Sequence, residues 1–141
     1  MFEQFLPIHP KLVHFPIALF LTALGFEVFS LFLRKENFHK TALYLFVVAA
    51  LMSLLVVRTG IWEQTRLHLN HPLLTEHRLF ALWTMWLSLG ALPFLWSMKM
   101  FFAKYFRPIF LLLLIIVAGF VTLTAHHGGR MVYEYGVGIK N

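Results

Sequence analysis

Cysteine is absent from the 141 residues. This excludes a disulfide, an iron–sulfur cluster and a thiolate-bound metal, so any metal must be held by histidine, carboxylate, methionine or backbone oxygen. Charge is scarce too. Charged residues make up 13% of the chain and only six are acidic, against 60% apolar residues. A soluble domain carries about 25% charged and about 45–50% apolar residues. A chain this short cannot hide such an apolar excess in a core, which points to a membrane protein whose first partner is the lipid bilayer.

The shortage of acid leaves a net charge of +6. The basic residues fall between apolar runs, so they are read as loops facing anionic headgroups and not as a nucleic-acid surface. Internal repeats, low-complexity segments and lipidation motifs are also missing. Met1-Phe2-Glu3-Gln4 lacks the positive region of a cleavable signal, and the apolar run behind it has spanning length. No nucleophile elbow is present, and Ser30, Ser53, Ser88 and Ser97 stand apart from most of the histidines, which disfavours a hydrolase.

Four apolar runs are present: about 12–33, 41–61, 77–98 and 108–125. Each approaches the roughly 20 residues that a helix needs to cross the hydrocarbon. Pro10 and Pro16 open the first run, and Pro93 is expected to kink the third. Backbone groups in lipid must bond within their own segment, so the sequence predicts an all-α, up-and-down four-helix transmembrane bundle in one domain. Four spans put both termini on one side. The two opposite loops, Arg34 to Lys40 and Lys99 to Arg107, each pack three Lys/Arg into a short stretch. The terminal side carries six Lys/Arg as well, spread over longer segments with Glu3, Glu63, Glu76 and Glu134 among them, so the totals tie and only the density favours a cytoplasmic place for these two loops, with both termini on the outer side. Trp62, Trp96, Tyr44, Tyr105 and Tyr133 fall near predicted helix ends, where aromatic belts form.

This topology gathers seven of the eight histidines at the outer ends of the helices. His9 and His14 open the first helix, His68 and His71 lie in the loop before the third, His77 opens the third, and His126 and His127 close the fourth. Only His39 lies at the other end. Ionisable residues at the ends of transmembrane helices tend to point into the bundle, which singles out His14, His77 and His126. Each heads a stripe of small or weakly polar residues: Ala18, Thr22 and Gly25 after His14; Ala81, Thr84, Ser88 and Ala91 after His77; Thr122, Gly119 and Ala118 before His126. Such stripes serve either close helix packing or a flat cofactor beneath its axial ligands.

Two imidazoles facing each other across a bundle can hold the iron of a haem b. His14 and His77 are the first candidates, with His126 as a replacement ligand or as a hydrogen-bonding neighbour. Arg58 and Arg78 lie at the same level and suit haem propionates; Arg58 could equally snorkel or pair with Glu63. Alternatively, His14, His77, His126, His9 and Glu63, with Glu76 nearby, could hold zinc or copper. Glu27, the one acidic residue inside a span, is either functional or paired with Arg34. After the last span, Gly128-Gly129 permits a sharp reversal, and the apolar and aromatic residues of 128–141 are expected to fold back over the outer mouth.

HPKLVHFPIA near the start and GGRMVYEYGVGI near the end resemble the bacterial membrane family known as domain of unknown function 2231. The matching positions are His9, Pro10, His14, Pro16, His77, Gly128, Gly129, Val132, Tyr133, Gly136 and Gly138, with Glu63 as an acidic residue after the second helix. The resemblance spans the chain. It implies a four-helix protein of the bacterial inner membrane and carries no activity with it. Three readings stay open. One is a b-type cytochrome working with a redox partner or a quinone. Another is a zinc- or copper-binding protein of the outer face. The last is a non-catalytic membrane subunit whose histidines only join helices.

Overall fold

In hydrocarbon every peptide group must find its partner within the chain, and a run of apolar residues meets this only as a helix. The computed structural model describes residues 8–66, 68 and 70–136. Its helices are α1 (Ile8–Leu12), α2 (His14–Leu33), α3 (Glu36–Arg66), α4 (Pro72–Phe101) and α5 (Ala103–Tyr133). The first two make a single 26-residue span, and four spans in all are long and apolar enough to cross a membrane. The break at Val13 follows from Pro16, whose ring nitrogen cannot donate to Leu12. Val13 N still donates to His9 O at 3.1 Å, but Ile17 N reaches Val13 O only at 3.5 Å.

The helices outrun the apolar windows. The second was expected over about 41–61 and occupies Glu36–Arg66; the third, expected over 77–98, occupies Pro72–Phe101; the last, expected over 108–125, occupies Ala103–Tyr133. The apolar window marks hydrocarbon, whereas the helix continues into the headgroups until something stops it. At α2 the stop is Arg34, in the left-handed region at φ 53°. Between α4 and α5 it is Phe102 alone, at φ −137° and ψ 44°. Pro72 sits in the first turn of α4, and His71 caps it by accepting from Leu73 N at 3.2 Å. Pro93 and Pro108 lie inside helices that run on past them.

The buried residues recur every seven positions. On α2 they are Pro16, Phe20, Ala23, Glu27 and Ser30; on α4, Thr84, Ser88, Ala91 and Leu95, with Met85 buried beside Thr84. A seven-residue period gives a left-handed supercoil, the usual geometry of a four-helix bundle. Small residues fill much of the seam, including Ala23, Ala42, Ala49, Ala50 and Ala91, so the helices approach closely. Phe20, Phe46, Phe106 and Phe110 fill the space that remains, edge to face or stacked, with centroids 5.7–6.1 Å apart. α2 packs chiefly on α3, and α4 chiefly on α5. The bundle is therefore two helical hairpins laid against each other. Leu, Ile and Phe side chains cover much of the outside, and Trp62, Trp96, Tyr44, Tyr105 and Tyr133 are all exposed near the two ends, where lipid headgroups would meet them.

Candidate functional site

The seven-residue seam decides which histidines face inward. On the first span it runs through Pro16, Phe20, Ala23 and Glu27. Its upward continuation is His9, not His14. His9 lies eighteen residues before Glu27, about five turns. His14 is exposed, as are Ala18 and Thr22 below it. The stripe expected to line a cofactor space therefore faces outward. His126 is exposed as well, with Thr122 and Gly119, and only Ala118 of its stripe is buried. His77 is placed as expected: it is half-buried above Ala81, Thr84, Ser88 and Ala91, the last three of which are buried. The histidines that meet inside the bundle are thus His9 and His77, with ring centroids 6.4 Å apart and planes at 87°.

Each ring is held by a different neighbour. His9 Nδ1 lies 3.0 Å from Val56 O and 3.4 Å from the Thr59 hydroxyl oxygen, and that hydroxyl also donates to Val56 O at 2.9 Å. His77 Nδ1 lies 2.9 Å from Thr124 O. A carbonyl oxygen can only accept, so both Nδ1 atoms carry the proton. A neutral imidazole then keeps its lone pair on Nε2. This is the arrangement that second-shell carbonyls impose on metal-ligating histidines. Glycine makes the room. A Cβ at Gly60 would stand 2.7 Å from His9 Cε1, and one at Gly128 would stand 3.2 Å from His77 Cε1. His9 is thereby tied to α3 and His77 to α5. The two imidazoles belong to opposite hairpins and meet where the hairpins meet.

The remaining candidates stand around this pair without joining it. His127 Nδ1 donates to Leu123 O at 2.8 Å, and its Nε2 lies 3.0 Å from a Glu76 oxygen; both nitrogens are committed. His71 is a helix cap, and its ring lies 4.8 Å from that of Tyr135. His68, Arg58 and Arg78 are exposed, and the two arginines pair with no described acidic residue. Glu63 is buried at 7% exposure near the end of α3, and it makes no hydrogen bond to a described residue. The zinc or copper set of His14, His77, His126, His9 and Glu63 does not come together: among the described residues no three His, Cys, Asp or Glu side chains converge to hold a metal ion. The paired glycines do not reverse the chain. α5 runs through both, and the His77 ring packs against Gly128, where a Cβ would stand 3.2 Å from Cε1. The turn comes at Glu134–Gly136, with Gly136 at φ 64°. Residues 137–141, on which much of the expected fold-back rests, lie outside the described residues.

The other end of the bundle holds a pair that the sequence did not announce. Glu27 is fully buried and His39 nearly so, and His39 Nδ1 lies 2.6 Å from Glu27 Oε2. Glu27 therefore takes His39, one helix away, instead of Arg34. The Phe106 and Phe110 rings stand edge-on to the imidazole at 5.7 and 5.8 Å. A signal was present. An ionisable residue inside a span has to face inward, so Glu27 fixes the inner face of the first span. The same reasoning, run up the helix, selects His9 over His14.

No curated protein and no solved structure matches the chain at a significant level. Residues 5–141 match the family model described as "Predicted membrane protein (DUF2231)". The match covers nearly all of a chain whose described residues form four spanning helices, and the protein is therefore a multi-pass integral membrane protein of the DUF2231 family.

Proposed function

We propose that the His9–His77 pair is a bis-imidazole site for a single haem b iron, and that the protein is a small electron carrier of the bacterial inner membrane. The carrying observation is that two imidazoles, each held through Nδ1 by a backbone carbonyl, come together from opposite hairpins with ring centroids 6.4 Å apart. The spacing supports the same reading. A metal lies about 2.0–2.1 Å from a ligating nitrogen and hence about 3.2 Å from the ring centre, so rings on opposite sides of one metal stand about 6.4 Å apart. Rings at two corners of a tetrahedron would stand about 5.2 Å apart. The observed 6.4 Å fits the axial ligands of a haem better than a tetrahedral zinc site.

The macrocycle would lie along the boundary between the two hairpins, between the His9 and His77 rings. A shallow apolar cavity of about 140 Å³ lies at the opposite end, between Phe46, Leu95, Trp96 and Phe106, and does not serve this site. Exposed Arg58 and Arg78 suit the propionates at the mouth. The density of Lys and Arg in the opposite loops supports a histidine-rich end at the outer face. Electron transfer then needs a redox partner or a membrane quinone that docks at that face.

The test is an absorption spectrum of detergent-purified protein, oxidised and then dithionite-reduced, from cells supplied with haem precursor. A Soret band with sharp reduced bands is expected, abolished by His9→Ala or His77→Ala and retained in His14→Ala and His126→Ala. A featureless spectrum under full haem supply overturns the reading. Elemental analysis of the same sample then separates a bound metal ion from a purely structural pair.

A further inference from the structure

Glu27 and His39 lie at the end of the bundle away from the proposed haem site, and nothing in that reading uses them. Burying a carboxylate in a membrane span costs heavily unless its oxygens are paired. Here one is paired and one is not. Oε2 meets His39 Nδ1 at 2.6 Å, while Oε1 is the single fully buried side-chain polar atom without a hydrogen-bond partner among the described residues. Ser30, close by, spends its hydroxyl on the Glu27 backbone oxygen at 2.7 Å and leaves Oε1 alone. A clasp built only to join α2 and α3 has no use for an orphaned oxygen; a single hydroxyl would avoid it.

His39 separates this carboxyl group from the surroundings. It sits in the first turns of α3, one residue before exposed Lys40. Its Nδ1 is turned inward to Glu27. Its Nε2 has no described partner and is not among the sealed orphan atoms, so part of the ring's residual 6% exposure belongs to it. Phe106 and Phe110 close the flanks of the ring. The imidazole therefore has one nitrogen on the buried acid and the other at the headgroup level, which is the arrangement of a one-residue proton conduit.

We propose that Glu27 and His39 form a proton-loading site within the membrane domain, filled and emptied through His39 from the Arg34–Lys40 end. In the empty state Glu27 is a carboxylate that accepts from Nδ1–H. A proton delivered by water binds Nε2, and the Nδ1 proton passes to Glu27 Oε2. The product is a neutral carboxylic acid donating to Nδ1 of a neutral imidazole that is now protonated on Nε2. One proton has entered, no proton is left over, and the ring has changed tautomer. In the loaded state the orphan Oε1 is a neutral carbonyl oxygen, far less costly to bury than half of a negative charge.

The charged groups at this end are Arg34, Lys35, Glu36 and Lys40 around the start of α3, Lys99 on α4, and Lys104 and Arg107 on α5. Of these, Arg107 pairs with Glu36 at 3.1 Å, and none is buried. The Glu27–His39 pair itself is the only buried acid–base pair at this end among the described residues.

The experiment uses the whole protein in lipid nanodiscs, with and without haem, between about pH 5 and about pH 9, the range over which histidine-linked protons ordinarily move. Infrared difference spectra should show a protonated-carboxyl band that grows as pH falls and is lost in Glu27→Gln, whose amide can still bond to His39. Nitrogen NMR on histidine-labelled wild-type protein, with the signal assigned by its absence from His39→Asn, should show the Nδ1–H and Nε2–H resonances of His39 exchanging roles over the same range. This readout does not depend on how Glu27→Gln folds. A fixed His39 tautomer throughout, or a carboxyl band that survives Glu27→Gln, overturns the proposal and leaves an interhelical clasp. Because the signals are read without haem as well, failure here is separate from failure of the cytochrome reading.

Discussion

Gly60 and Gly128 matter for what stands opposite them. A methyl group at Gly60 would come within 2.7 Å of His9 Cε1, closer than a Cβ carbon tolerates, whereas at Gly128 the approach to His77 Cε1 is 3.2 Å. His9 cannot retreat without losing Val56 O, to which its Nδ1 is bonded. Gly60→Ala should therefore displace the His9 ring, cost about 1–3 kcal/mol in overpacking, and lower haem occupancy severalfold. Gly128→Ala, needing a shift of a few tenths of an ångström, should cost less and leave most of the occupancy. Thermal unfolding in detergent and the Soret-to-protein ratio of each variant check the ranking; equal losses would mean that the two rings are not held in this way. The sequence placed His77 correctly, because its stripe of Thr84, Ser88 and Ala91 is the seam of α4. It misplaced His14 and His126, because a stripe of small residues looks the same whether it faces a neighbouring helix or lipid. Only an ionisable residue such as Glu27 breaks that ambiguity.

At the level of the element, the existence of every span was legible, since hydropathy and length demand it. The ends were not. Polar residues such as Glu36, Asn37, Thr65 and Arg66 resemble loop in composition, yet they continue α3 at both ends, because nothing in them breaks a helix. The connections shrink accordingly, to Arg34–Lys35 and to Phe102. Such a tight connection has a local cost. Arg34 is held at φ 53°, where a side chain with a Cβ is penalised by about 1–2 kcal/mol relative to glycine. Arg34→Gly should raise stability by about 0.5–1 kcal/mol after the greater freedom of glycine in the unfolded chain is subtracted. A small rise in the thermal midpoint is the expected result. A fall would show that the guanidinium contributes more through headgroup contacts than the backbone loses through strain. The same reasoning explains the tail: Gly128-Gly129 reads as a turn, but in α5 Gly128 leaves space for the His77 ring, and the turn waits for Gly136.

Across the whole molecule the buried polar groups separate into two sets at opposite ends. Half-buried His9 and His77 lie at one end with buried Glu63, and buried Glu27, Ser30 and His39 at the other, with Ser53, Thr84 and Ser88 buried between them. The hydroxyls of that middle group are taken up by the carbonyls of Ala50, Phe80 and Met85 of their own helices, so among the described residues the core offers no chain of free hydroxyls from end to end. On both proposals each site exchanges with the face nearest to it, which makes the orientation of the bundle a functional quantity. The three Lys/Arg in each of the Arg34–Lys40 and Lys99–Arg107 stretches are the ground for proposing that those ends face the cytoplasm. The proton-loading pair would then open inward and the bis-histidine pair outward. The absence of cysteine makes this directly testable, because a single introduced thiol has no competitor. Asn37 and Asn70 are both exposed and lie at opposite ends of α3 and its following loop. Asn70→Cys should react with a membrane-impermeant maleimide in intact spheroplasts, and Asn37→Cys only after the membrane is opened. The reverse pattern would turn the bundle over. It would hand the bis-histidine pair to a cytoplasmic partner and the Glu27–His39 pair to the outer face, leaving the geometry of both sites unchanged.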